Sequence, residues 1–393
     1  MDAGSARRPS ARQHYWDTLR AALMLLGIPY HSALAFQAGG WIVATHRHAP
    51  VLDYVAEAIH LFRMPAFFLV AGYFAALSLT KYPPGGWFRA RLTRLGIPFL
   101  ASLVTIIPLL NIGCELSNFA PAQALESWRN LSLTSGGYWV RHLWFIIVLL
   151  YLCGATALAA RIWPALRTAP LPARIDRWTA RRPLATLLLL GLVVGLFEAV
   201  TIELFYAAHL NTTLPQEILR LDDLLGALPW FVLGLALQRA PETLAAMGER
   251  RAGVAALAVA ATALALALYG HSWPPLYRFV GAGAAMLVTQ VILSVARQSF
   301  DRASPVTDRL VRGSFVVYLF HVPVIVWLAL IVDGVGLPPE IGFVVVACGT
   351  LAATLGIAAL IERSPALSLL YSGTRGAARP RARRQVMTAV AAE

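Results

Sequence analysis

His142-Leu143-Trp144-Phe145-Ile146-Ile147-Val148-Leu149-Leu150-Tyr151-Leu152-Cys153-Gly154-Ala155-Thr156-Ala157-Leu158-Ala159-Ala160 runs from Arg141 to Arg161 without a carboxylate, lysine or arginine. A helix crossing the hydrocarbon core of a bilayer needs about 20 predominantly apolar residues, and this stretch supplies them. Runs of the same kind recur at 17–36, 53–79, 95–112, 184–207, 221–238, 253–270, 276–296, 313–333 and 339–361. The sequence therefore predicts an all-α, polytopic integral membrane protein with about ten transmembrane helices. Composition agrees: 58% hydrophobic and 13% charged residues, with a mean hydropathy of +0.64, exceed what one water-soluble core can hide.

Short loops rich in arginine and lysine stay in the cytoplasm. With the N-terminus inside, the cytoplasmic loops and helix ends collect Arg7, Arg8, Arg12 and Arg20, then Lys81 to Arg94, Arg161 to Arg182, Arg239 to Arg251, Arg297 to Arg312, and finally Arg363 and the arginines beyond it. The exceptions are Arg47, Arg63, Arg129, Arg141, Arg220 and Arg278. This alternation predicts that both termini are cytoplasmic and that the chain is a multi-pass protein of a bacterial inner membrane. Residues 1–14 form a basic cytoplasmic start, 15–365 the membrane domain, and 366–393 an Arg/Ala-rich cytoplasmic tail expected to be disordered and solvated, with binding to anionic lipid headgroups as the alternative. Topology also explains the net charge of +13 and the pI near 10.3, so no nucleic-acid partner is expected.

Basic residues followed by Ala21–Ala35, ending in Ala33-Leu34-Ala35, resemble a secretory signal. A discarded segment has no use for Asp17, Arg20, Pro29 and His31, so it is expected to remain as the first span. Cys114, Cys153 and Cys348 form no spacing pattern, and neither a disulfide framework nor a metal site is expected.

Ionisable side chains inside spans are disfavoured by several kcal/mol unless they face a cavity or a partner, and they are expected to cluster in the first two spans. Arg20 and His31 fall about 20° short of three full turns apart, on one helix face, separated by roughly 16 Å. Asp17 lies near the same face, and Pro29 removes a hydrogen bond beside His31. The structural alternative is an interfacial Asp17–Arg20 pair with His31 bonded to backbone. In the second span Glu57, His60 and Arg63 follow at intervals of three, which puts Arg63 roughly 15 Å from the outer boundary. An arginine at that depth calls for a polar cavity, an anionic ligand, or a salt bridge to Glu57 or another span. In Tyr138-Trp139-Val140-Arg141-His142-Leu143-Trp144 the tryptophans suit an interfacial aromatic belt, and His142 asks for more.

A neutral histidine can take the proton of an attacking hydroxyl, and a cation can stabilise the oxyanion that follows, so a histidine with arginines in a membrane cavity suits acyl transfer. The chain holds no P-loop, metal-ligand cluster or Gly-x-Ser-x-Gly elbow. On chemistry alone, a proton-coupled carrier for a glycan or lipid-linked precursor and a non-catalytic scaffold stay open.

Six stretches resemble the acyltransferase family 3 membrane proteins, and among them the glucan-modifying OpgC/MdoC type. They are Tyr15-Trp16-Asp17-Thr18-Leu19-Arg20 continuing to His31 as Arg-x(10)-His; Phe62-Arg63-Met64-Pro65-Ala66-Phe67-Phe68-Leu69 with Gly72; and Arg91-Leu92-Thr93-Arg94-Leu95-Gly96-Ile97-Pro98. His142-Leu143-Trp144-Phe145, Ser314-Phe315-Val316-Val317-Tyr318-Leu319-Phe320-His321-Val322-Pro323 and Glu362-Arg363-Ser364-Pro365 complete the set. The resemblance implies transfer of an acyl group, succinyl in this type, from cytoplasmic acyl-CoA (succinyl-CoA) to hydroxyls of a periplasmic glucan, with O-acetyl transfer to another polysaccharide as the alternative. It implies no permanently bound cofactor or metal, and leaves other glucan-synthesis proteins as further partners. By resemblance His31 is the catalytic base, Arg20 and Arg63 hold the donor or its developing charge, and Asp17 orients Arg20. Glu57, His60, Arg141 and His142 are candidate substrate contacts, as are Arg89, Arg91 and Arg94 for the CoA phosphates. His321 lies only about 10 Å from the cytoplasmic end of its expected span, too far inward to share a hydroxyl with His31, which gives it a structural or donor-side role.

Overall fold

A computed structural model describes residues 13–271 and 273–374. In chain order the helices are α1 (His14–Leu25), α2 (Gly27–Phe36), α3 (Pro50–Leu79), α4 (Pro84–Leu116), α5 (Pro121–Thr134), α6 (Gly137–Val140), α7 (Trp144–Ile162), α8 (Ala173–Arg181) and α9 (Pro183–Ala207). They continue with α10 (Leu214–Leu219), α11 (Leu221–Gln238), α12 (Pro241–Met247), α13 (Ala252–Leu268), α14 (Pro274–Ser299), α15 (Pro305–Val335), α16 (Pro339–Glu362) and α17 (Pro365–Ser372). There is no strand among the described residues. Proline opens most of the long helices, where its fixed φ suits the first turn and its missing N–H has no partner to lose.

Among the described residues, eight helices are long and apolar enough to cross a membrane: His14–Phe36, α3, α4, Gly137–Ile162, α9, α14, α15 and α16. The expected span 253–270 is the longer arm of a pair, α12 and α13, bent by 75°, and it makes a ninth if that pair crosses as one. The expected span 221–238 is α11, which lies outside that set; Asp222 and Asp223 occupy its first turn and Pro229 its interior. The chain is a multi-pass helical membrane protein.

Other boundaries move as well. The first span breaks between α1 and α2 at Leu26, because Pro29 has no N–H for the Leu25 carbonyl. The helix expected at 313–333 begins at Pro305, so His321 sits at its middle rather than near one end. Residues 366–372, expected in a disordered tail, belong to α17, whose first turn is capped by the Ser364 hydroxyl accepting from Leu367 N at 3.4 Å. The remainder of the expected tail and the basic start lie outside the described residues.

The bundle is organised around α3. A methyl placed on Gly72 would lie 2.0 Å from the Phe231 carbonyl oxygen, and one on Gly234 the same distance from that of Leu69, so α3 and α11 cross backbone to backbone. Small residues at a crossing are how membrane helices gain close packing where lipid supplies no hydrophobic drive. Gly195 plays the same part against Phe279 between α9 and α14. On its remaining sides α3 meets α1, α2 and α14, and α15 packs against α1, α2, α4 and α16. Interior faces of α2, α3, the start of α7 and α15 are thereby brought to one point.

Candidate active site

At that point a cavity of 260 Å³ is lined by His31, His60, Arg63, His142, Tyr318 and His321, with Tyr30, Trp144 and Arg220 at its edges. The imidazoles of His31 and His321 stand 5.1 Å apart between ring centroids, and those of His142 and His321 5.6 Å apart. His321 therefore shares a chamber with His31. Its expected separation from His31 rested on a helix start eight residues too late.

Two of these rings have their tautomers set by backbone. His321 Nδ1–H donates to the Tyr318 carbonyl at 2.7 Å, which leaves Nε2 as the nitrogen with the lone pair, buried and without a partner. His142 Nε2–H donates to the Leu319 carbonyl at 3.1 Å, which leaves Nδ1 in the same state. The acceptor at Leu319 exists because of Pro323. Four residues on, the proline has no N–H to close the helical hydrogen bond, so Leu319 offers its carbonyl sideways to His142. Tyr318 O–H returns a bond to the His142 carbonyl at 2.7 Å. The His-x-Pro element of the sequence is thus a device that orients a histidine on another helix.

Arg63 brings positive charge to the chamber. Its guanidinium lies 4.5 Å from the Tyr30 ring centroid, its Nε is buried without a hydrogen-bond partner, and it forms no ion pair among the described residues. The salt bridge to Glu57 is not made: Glu57 is buried and accepts from the Tyr277 hydroxyl instead. The guanidinium and His321 converge over Gly27, where a methyl would fall 3.0 Å from Arg63 Nη1 and 3.1 Å from His321 Nε2. His60 exchanges a 3.3 Å hydrogen bond with the Tyr30 hydroxyl. Trp41, in the loop after α2, stacks over His31 at 5.3 Å and closes that side.

A further cavity flanks the chamber on each side and shares lining residues with it. Toward the arginine-rich face, Met24, Phe67 and Phe145 are shared with a 510 Å³ vestibule lined by Arg20, Arg91, Arg94, Arg312 and Glu362. Arg20 pairs with Asp17 at 3.5 Å and lies over Phe74, so the first span's acid and cation are brought together as expected. Toward the opposite face, His60, Met64, Trp144 and Asp223 are shared with a 390 Å³ cavity between α3, α9, α11 and α14.

Four candidates, Asp17, Glu57, Arg89 and Arg141, fall outside these spaces. Arg141 adopts a left-handed φ of 43°, donates to Asn111 Oδ1 at 2.8 Å and stacks on Tyr138, which makes it a structural tie. Arg89 is exposed and lines none of the three cavities. Trp144, expected in an interfacial belt, instead lines two of them. Ionisable groups are also not confined to the first two spans, since Glu198, Asp222, Asp223 and Arg278 line the cavity toward the opposite face. These are legible as charges in expected spans, but no local motif marks them. Among the described residues no group of three or more His, Cys, Asp or Glu side chains is arranged to hold a metal ion.

Glucans biosynthesis protein C of Escherichia coli (strain K12) is 29% identical over 388 residues, covering 93% of this chain and 95% of its own. The protein of the same name from Escherichia coli O17:K52:H18 is 28% identical over 382 residues, with the same coverage. No solved structure matches the chain. The acyltransferase domain family matches residues 13–363, from the first turn of α1 to the end of α16, and the chain belongs to that family as a membrane acyltransferase.

Proposed function

We propose that this protein moves an acyl group, succinyl by preference, from acyl-CoA (succinyl-CoA) at the arginine-rich face to hydroxyls of a glucan at the opposite face of a bacterial inner membrane, with both termini in the cytoplasm. The observation that carries this reading is the central chamber, where two imidazoles with accepting nitrogens and an arginine, each without a partner for those groups among the described residues, lie between a basic vestibule and a cavity toward the opposite face. The name of the Escherichia coli relatives supports a glucan as acceptor.

In this mechanism Arg20, Arg91, Arg94 and Arg312 receive the phosphates of the donor, for which charge-assisted guanidinium contacts are well suited. The thioester reaches past Met24, Phe67 and Phe145 into the chamber. His31 accepts the proton of the sugar hydroxyl as its oxygen attacks the thioester carbonyl carbon. A C–O bond forms, and Arg63 stabilises the oxyanion of the tetrahedral intermediate. The C–S bond then breaks, and the proton passes from His31 to the departing sulfur to give free CoA. His321 and His142 hold the imidazole cluster in register. Acyl-CoA is a substrate here, and no permanently bound cofactor is invoked.

The test is mass spectrometry of periplasmic glucans from cells lacking the chain, complemented with wild type, His31→Ala or Arg63→Ala at matched membrane levels. Wild type is expected to restore a mass increment that the variants do not, and the increment distinguishes succinyl from acetyl. Unchanged glucans in every strain sink the glucan assignment. Full restoration by His31→Ala removes His31 as the base.

A further inference from the structure

The cavity toward the opposite face differs in chemistry from the other two. Its lining includes the carboxylates of Glu198, Asp222 and Asp223 and the aromatic rings of Trp144, Trp230 and Tyr277. Glu198 lies well inside a spanning helix, where a carboxylate is retained only for a partner or a ligand. It accepts from Trp230 Nε1 at 2.8 Å through Oε1, and its other oxygen has no hydrogen-bond partner among the described residues. The Trp144 indole N–H is likewise without a partner among them, although Trp144 lines both this cavity and the chamber. Arg278, the cation of the cavity, is neutralised by an ion pair with Glu203, and Arg220 at the chamber's edge is bound to Asp223 at 2.6 Å. The surplus is negative, which repels a phosphate-bearing or carboxylate-bearing ligand. Asp222 Oδ1 already accepts from Gln216 Nε2 at 2.7 Å and from Asp223 N at 2.8 Å, so the free oxygen of Glu198 is the main acceptor for a hydroxyl, while an indole N–H donates to one and an aromatic face covers the C–H face of a sugar ring. At 390 Å³ the cavity lies within the range of small-molecule sites, about 300–1,000 Å³.

The geometry points to this cavity as the acceptor subsite: a neutral sugar of the glucan is held by Glu198, Asp222 and Trp144, with Trp230 fixing Glu198 from behind, so that one hydroxyl passes His60 and Trp144 into the histidine chamber. The inference rests on the acyl-transfer reading and names where its second substrate sits. It also accounts for direction. Donor charges meet arginines on one side of the chamber, and acceptor hydroxyls meet carboxylates on the other, so the two substrates approach the same histidines without competing for one mouth.

The test uses the purified full-length protein in nanodiscs with cellotetraose as probe, comparing wild type with Glu198→Gln, Asp222→Asn and Trp144→Phe. Glu198→Gln keeps an acceptor for Trp230 and so preserves the fold; thermal unfolding checks this. Tryptophan fluorescence quenching by cellotetraose reads binding without requiring turnover, and acyl-CoA consumption reads transfer. The expected result is saturable quenching in wild type, weakened at least about tenfold in Glu198→Gln and Asp222→Asn. The acceptor KM should rise to match while the donor KM stays unchanged. Quenching that is absent in wild type, or identical in all variants, overturns the subsite, as does a change confined to the donor KM. Saturable, variant-sensitive quenching without transfer of any acyl group retains the sugar site and overturns the acyl-transfer reading instead.

Discussion

His31 and His321 belong to helices far apart in the chain, yet their ring centroids lie 5.1 Å apart over a glycine that could not carry a side chain without pressing on His321 Nε2. The pair is the centre of the chamber, and each member is expected to matter. Under the proposed mechanism His31→Ala removes the base, with a loss of about 10²–10⁴-fold in the rate of acyl transfer. His321→Ala should also lower the rate while leaving membrane insertion intact. Transfer assays on matched amounts of purified protein check both, and wild-type rates in His321→Ala would show that His321 does not position the imidazole cluster for transfer.

Arg63 has no carboxylate to release when it is removed, so its substitution should leave the fold in place. Arg63→Ala is expected to reduce turnover by roughly 10²–10³-fold, the range for deleting one oxyanion contact. Arg63→Lys should recover part of that. A thermal shift profile like that of wild type, with turnover lost, separates catalysis from packing.

Gly27→Ala tests the convergence of Arg63 and His321. The added methyl must displace groups that stand 3.0 and 3.1 Å from it. Displacement by a fraction of an ångström is enough to lower turnover by about tenfold or more. Expression and melting temperature should change little, because the neighbours are side-chain ends. Wild-type turnover in Gly27→Ala would mean the convergence has no catalytic meaning.

Gly72→Ala and Gly234→Ala act on the fold instead. Each methyl would meet a backbone carbonyl oxygen at 2.0 Å, which no side-chain rotation relieves. A loss of about 1–3 kcal/mol or more is expected from overpacking, seen as poor recovery of monodisperse protein and a lowered unfolding temperature. Normal yield and stability would show that α3 and α11 can separate.

Pro323→Ala restores an N–H four residues after Leu319 and lets the helix reclaim that carbonyl. His142 then loses the acceptor that fixes its Nε2–H tautomer. Stability should rise or hold while turnover falls. Nitrogen NMR of labelled histidine gives an independent readout, since the His142 signals should shift toward a tautomer mixture. Unchanged histidine signals would show that proline does not set this contact.

Much of the site is legible from local spacing. Arg20 and Asp17 on one helix face, Arg63 deep within its span, and the motifs around His31 and His321 are read from positions alone, because helical geometry converts spacing into depth and facing. The failures share a cause. The depth of His321 depended on where its helix begins, and Pro305 lies outside the uniformly apolar run. Trp144 looked interfacial because a tryptophan near a span end usually is.

The sequence by itself determined that the chain is a helical multi-pass protein, roughly where most of its helices start, α4 and α15 excepted, and which side chains are too polar to face lipid. These follow from hydrocarbon thickness and from proline chemistry, both local properties of the chain. Only the tertiary structure decided which of those polar groups meet. The close α3–α11 crossing, the sideways carbonyl of Leu319, and the gathering of Glu198, Asp222 and Trp144 around one cavity arise from contacts between helices remote in sequence, and a single spacing pattern carries no record of which helix becomes the neighbour of which.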